Sequence, residues 1–100
     1  MIRRIAVFAL AALIAAPLAW SDQRTPVKIG VLAFRGGEDA LKRWSPTADY
    51  LSAAIPSTRF EVVPLTPDDL NAAVETGALG FVLTNTGNYV DLEARHGISR

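Results

Sequence analysis

A chain of 100 residues with no cysteine, one histidine and ten basic against ten acidic side chains has room for one small domain, and offers neither a disulfide framework nor a cysteine–histidine zinc cluster. Two of the basic residues are Arg3 and Arg4, so the part after residue 21 is mildly acidic and has no basic block. That excludes the concentrated positive face on which sequence-independent nucleic-acid binding depends, and no nucleic-acid partner is expected.

Met1-Ile2-Arg3-Arg4 gives a positive start, Ile5 to Ala16 is an unbroken apolar run, and Ala19-Trp20-Ser21 fits a small-x-small cleavage site. Residues 1–21 therefore read as an export signal, with Asp22 the first mature residue. An uncleaved signal anchor competes with this reading: the apolar stretch from Ile5 to Trp20 is 16 residues, against the roughly 20 that a bilayer core demands. A buried structural helix is the third option. The first two place residues 22–100 in the periplasm, free or membrane-tethered.

Val27 to Phe34 reads as a strand. Its apolar residues are nearly continuous from Ile29, as in a parallel strand covered on both faces, and Gly30 allows close backbone approach. Arg35-Gly36-Gly37 breaks the run. Leu41, Trp44, Ala48, Leu51 and Ile55 then recur at helical spacing. Ser45-Pro46 suits an N-cap and first helical position, which predicts a helix from Pro46 to about Ala54 preceded by a separate turn or short helix.

Arg59 to Leu65 is the second expected strand, and Pro64 puts it at a sheet edge or ends it at Val63. Thr66-Pro67-Asp68-Asp69 spells a helix start: Thr66 as N-cap, Pro67 at N1, Asp69 as the capping-box carboxylate, and Leu65 stapled to Leu70. Leu70, Ala73 and Val74 form its buried stripe and Gly77 is its C′ residue. Leu79 to Thr84 is the third strand. Asn85 or Thr86 caps a third helix that ends at Arg95 or His96, closed by Gly97.

The order βαβαβα, with connections suited to right-handed crossovers, predicts an α/β fold with parallel strands. Open sheets of this kind present ligands at the carboxyl ends of their strands. Six residues there are candidate ligand contacts: Phe34 and Arg35 after the first strand, and Thr84, Asn85, Thr86 and Tyr89 after the third. A helix that starts just beyond a strand points free N–H groups and its positive dipole end at the space above the sheet. Hydroxyls and amides at Thr84 to Thr86 add donors, and Arg35 offers a bidentate fork for an oxyanion. Each has a plainer reading, as a cap, a solvated loop or core packing. Trp44 likewise lines a cleft or packs in the core, and His96 suits a structural place at a helix C-terminus. Catalysis is poorly supplied: the serines lack a nucleophile elbow and the GxGxxG spacing is absent. No metal and no cofactor is expected.

The stretches KIGVLAFRGGEDALKRWSPTADYLSAAIP and FEVVPLTPDDLNAAVETGALGFVLTNTGNYVDLEARHGISR resemble the amino-terminal portion of the phosphonate-binding-type periplasmic domain family. That family includes solute-binding proteins of phosphate and phosphonate transporters and extracytoplasmic sensor domains of two-component histidine kinases. Trp44 to Leu51 and Thr84 to Val90, with Glu93-Ala94-Arg95 behind, point to the sensor branch. The resemblance implies part of lobe one of a type II periplasmic-binding fold, strand order 2-1-3, closing on a small anionic solute. It also implies a partner, either a membrane permease or a membrane-anchored kinase segment. A small flavodoxin-like enzyme subunit is the alternative from another class.

Overall fold

The computed structural model describes residues 22–100, and the expected leader over residues 1–21 lies outside them. Three strands and three helices alternate: β1 (Thr25–Leu32), α1 (Gly37–Ala54), β2 (Thr58–Leu65), α2 (Pro67–Glu75), β3 (Phe81–Leu83) and α3 (Thr86–His96). The sheet order is β2-β1-β3, with both neighbours parallel to the central strand. The fold is therefore α/β with the expected order 2-1-3.

The sheet separates two cores. On one face Ile29, Val31 and Val62 pack with Ala40 and Ala48 of α1, and with Trp44, Leu51 and Phe60 around them. On the other, Leu32 meets Leu70 of α2 and Leu92 of α3, flanked by Leu65, Val74, Leu79, Val82 and Ile98. Gly30 makes this second face possible: a Cβ there would lie 2.5 Å from Leu79 Cδ1. Burial on both sides explains the continuous apolar run of β1.

One expectation fails instructively. The break at Ser45-Pro46 does not exist; α1 runs unbroken for 18 residues with Pro46 inside it. An interior proline costs about 3 kcal/mol through its missing N–H and its clash with the preceding turn. Here Lys42 and Pro46 both lie on the exposed face, where water can take the orphaned Lys42 carbonyl. Meanwhile Ala40, Trp44, Ala48 and Leu51 continue one stripe across the proline and hold both halves to the sheet. Leu41 and Ile55, expected in that stripe, are 43% and 44% exposed; Ala40 takes the place given to Leu41. Pro46→Ala is expected to raise stability by about 1–3 kcal/mol, the interior proline penalty less the unfolded-state entropy that proline removes. A urea midpoint at or below that of the parent would contradict this account.

Two positions on the outer edge of β2 offer no free donor. The Ala33 N–H donates to the Leu65 carbonyl at 2.9 Å, so Leu65 faces β1 and Pro64 turns its nitrogen outward, where no donor is required. The Phe60 N–H is taken by the Ser52 hydroxyl at 2.8 Å, which itself donates to the Ala48 carbonyl at 2.8 Å.

Helix α2 is capped by Thr66, starts at Pro67 and ends at Gly77 as expected, but no bond from the Thr66 N–H to the Asp69 carboxylate is present among the described residues. Thr66 Oγ1 accepts from the Asp69 N–H at 3.2 Å, the forward half of the capping box. The Ala78 N–H reaches the Ala73 carbonyl at 3.0 Å and the Gly77 N–H the Val74 carbonyl at 3.1 Å, a Schellman ending with Gly77 at φ 72°. His96 closes the layer from α3: its Nε2 lies 2.6 Å from Asn71 Oδ1. The structural role expected of His96 is a tie between two helices.

Before β1, Asp22 receives both the backbone N–H and the guanidinium of Arg24 and lies 3.5 Å from Arg59 of β2. The hydrogen bond from the Arg24 side chain, then that from its backbone, hold the Asp22 carboxyl down at about 2. Because its folded pKa is depressed, the contribution of Asp22 is complete above the ordinary carboxylate range and is lost as pH falls through about 2. Carboxyl carbon shifts followed by NMR through acid titration are expected to move last for Asp22. A midpoint in the ordinary range would show that the clip is open in solution.

Candidate functional site

Because β1 and β3 run parallel, with Ile29 beside Phe81 and Val31 beside Leu83, the loops that follow them leave the same end of the sheet. Helices α1 and α3 both start at this rim. All six sequence-derived candidates lie on it, but they line two separate depressions.

The first depression, about 300 Å³, is lined by Phe34, Arg35 and Gly36 of the loop and by Asp39, Arg43 and Trp44 of α1. Strand β1 stops at Leu32 rather than Phe34, and Phe34 is 72% exposed. It is therefore a wall at the mouth and not the last core residue of the strand. Gly36, at φ 96°, takes the N-cap position with no side-chain cap. The first backbone bond of α1 runs from Ala40 to Gly36 at 3.2 Å, so helical geometry leaves the N–H groups of Gly37, Glu38 and Asp39 without intrahelical partners. Glu38 and Asp39 oppose the binding of an anion here, while Arg35 and Arg43 favour it. Arg43 Nε stands 3.7 Å from Asp39 Oδ2; among the described residues, Arg35 takes part in no ion pair.

The second depression, about 550 Å³, holds Thr84, Asn85, Thr86 and Tyr89 together with Val90, Glu93 and Arg100. Strand β3 ends at Leu83, one residue before the expected Thr84. The choice between Asn85 and Thr86 as cap is decided for Asn85, whose Oδ1 accepts the Asn88 N–H at 2.8 Å. With that oxygen occupied, Asn85 presents its amide protons, and Thr86 at N1 keeps both its hydroxyl and its backbone N–H available. The Thr84 hydroxyl donates to Asn88 Oδ1 at 2.6 Å, a length suited to O–H···O. Tyr89 donates to the Glu93 carboxylate, and this bond holds the phenol above its ordinary pKa, with Arg100 opposing the shift.

Sequence reasoning missed Asp39, Arg43, Glu93 and Arg100. Arg43 and Glu93 lie one helical turn beyond Asp39 and Tyr89, and that i, i+4 spacing was the available signal. Trp44 packs half-buried against the core, as one of its two expectations had it, and it also borders the first depression. No group of three metal-ligating side chains occurs among the described residues.

A parallel α/β unit with two helix starts and two loops gathered at one rim is the kind of scaffold that carries ligand contacts at its strand ends. The chain is 34% identical over 93 residues to the tetrathionate sensor histidine kinase of Salmonella typhimurium. The match covers 93% of this chain and 15% of that relative, so the chain spans a small part of the relative's length. The similarity supports a relationship to a sensor-kinase input region. No protein-family model matches the chain, and no solved structure matches it. No helix among the described residues is long and apolar enough to cross a membrane.

Proposed function

We propose that this chain is the ligand-facing part of an extracytoplasmic sensor domain that binds a small oxyanion-like solute and reports to a two-component histidine kinase. The observation that carries the reading is the shared rim: Arg35 and the uncapped start of α1 stand at the same sheet end as Thr84 to Thr86 and the start of α3. Helix-start N–H groups at one sheet end, and a guanidinium without a carboxylate partner among the described residues, suit an anion. The relative's being a sensor kinase favours this role over a transporter-associated solute-binding protein, the second reading. In the phosphonate-binding-type, type II periplasmic arrangement, this unit would be part of lobe one, and a second lobe would close over the rim. Ligand would bias the open–closed equilibrium only to the extent that it binds the closed form more tightly. The chain itself carries no assigned catalysis.

Two experiments test this. A phosphatase reporter fused after Arg100 is expected to be active outside the cytoplasm, and an inactive fusion would overturn the extracytoplasmic placement. Sulfate, phosphate, thiosulfate and tetrathionate are then titrated against the complete protein that carries this sequence, with neutral sugars as controls. A rise in melting temperature with at least one anion and with no sugar is expected; the reverse would overturn the oxyanion reading.

A further inference from the structure

The first depression holds an acidic side chain that neither helix capping nor anion binding accounts for. Among the described residues its ionisable lining is Arg35, Arg43 and Asp39; Glu38, acidic in the same first turn of α1, does not line it. Asp39 stands at N3, from which a carboxylate ordinarily bonds back to the N–H of the N-cap residue. Here that N–H, on Gly36, already donates to the Ala33 carbonyl at 3.2 Å, so Asp39 has no capping-box bond to make. Its ion pair with Arg43, at 3.7 Å between side chains about half exposed, is of a kind that adds little stability. The helix dipole favours a carboxylate in this turn, and Glu38 already supplies one.

We propose that Asp39 sets the charge selectivity of this depression, weighting it toward a singly charged oxyanion group and against a dianion; the inference rests on the oxyanion reading above. Two guanidinium groups attract any anion and one carboxylate repels it, so the lining holds a single net positive charge, which one negative charge on the ligand neutralises. A second ligand charge finds no cation left to balance it, and the repulsion from Asp39 doubles. Building in a group that repels the wrong ligand is one of the two routes to specificity. The division of labour follows from the ion pairs: Arg43 is shared with Asp39, whereas Arg35, in no ion pair among the described residues, is left to make the direct contact.

Sulfate and perchlorate, tetrahedral anions of similar shape that differ in charge, are the probes. Each is titrated calorimetrically at constant ionic strength against the complete protein that carries this sequence and against its Asp39→Asn variant. Removing one repelling charge a few ångströms away is expected to tighten perchlorate by about threefold and sulfate by about tenfold, since the repulsion lifted scales with ligand charge. Asp49→Asn makes the same charge change on the same helix, about 15 Å further along and beyond the reach of unscreened interaction. It is expected to leave both affinities at the parent values. An equal gain for the two anions, a gain no larger than that of Asp49→Asn, or a loss of affinity in Asp39→Asn would overturn the proposal and leave the oxyanion reading standing. Binding of neither anion by the parent or by either variant would overturn both.

Discussion

Leu92→Ala is expected to cost about 2–5 kcal/mol, the range for removing a fully enclosed leucine side chain. Leu92 has no exposed surface, nor does Leu70 against it, and among the described residues these two and Leu32 are the buried cluster on their face of the sheet. Nothing mobile stands ready to refill the space, since Leu65, Val74 and Leu79 are already committed to the same cluster. A loss of that size is a large fraction of the net stability of an ordinary domain. Urea unfolding followed by circular dichroism checks this, and a loss below about 1 kcal/mol would mean that α3 is not docked as described.

The second large effect concerns the rim. Arg35→Ala is expected to weaken oxyanion binding by the complete protein by about tenfold to a hundredfold, the range for losing a charge-assisted hydrogen bond or a bidentate pair. Arg35→Lys should recover part of it, because the charge returns without the fork. The melting temperature of the unliganded protein should be unchanged in both, since Arg35 is exposed and without an ion-pair partner among the described residues. Calorimetric titration separates the outcomes. Equal affinity for parent and Arg35→Ala would remove Arg35 from the site.

Much of the architecture was legible because local and global preferences agree. Thr66, Pro67 and Gly77 mark α2 at both ends by backbone requirements that few other residues meet, and the structure uses them as read. The alternation of strands and helices followed from three apolar runs separated by helical periodicity, whereas the order 2-1-3 came from the family resemblance. What went astray did so where tertiary packing outweighs a local rule. The proline in α1 is a breaker in isolation, yet the stripe from Ala40 to Leu51 spans it. The bounds of β3 were overestimated because Leu79 and Thr84 are apolar or β-branched enough to extend a strand, whereas pairing with β1 holds only three residues. The rim was legible as a set of strand ends but not as two depressions. Which side chains of α1 and α3 share a hollow with a loop depends on helix rotation, which a one-dimensional pattern leaves open to within a residue or so.

The middle position of β1 has a kinetic corollary. The strand nearest the amino terminus is made first, but its hydrogen-bonding neighbours come from segments well downstream, at Thr58 and at Phe81. During synthesis this apolar strand therefore waits bare while its neighbours arrive. High contact order of this kind slows folding and lengthens the interval in which a holding chaperone is useful.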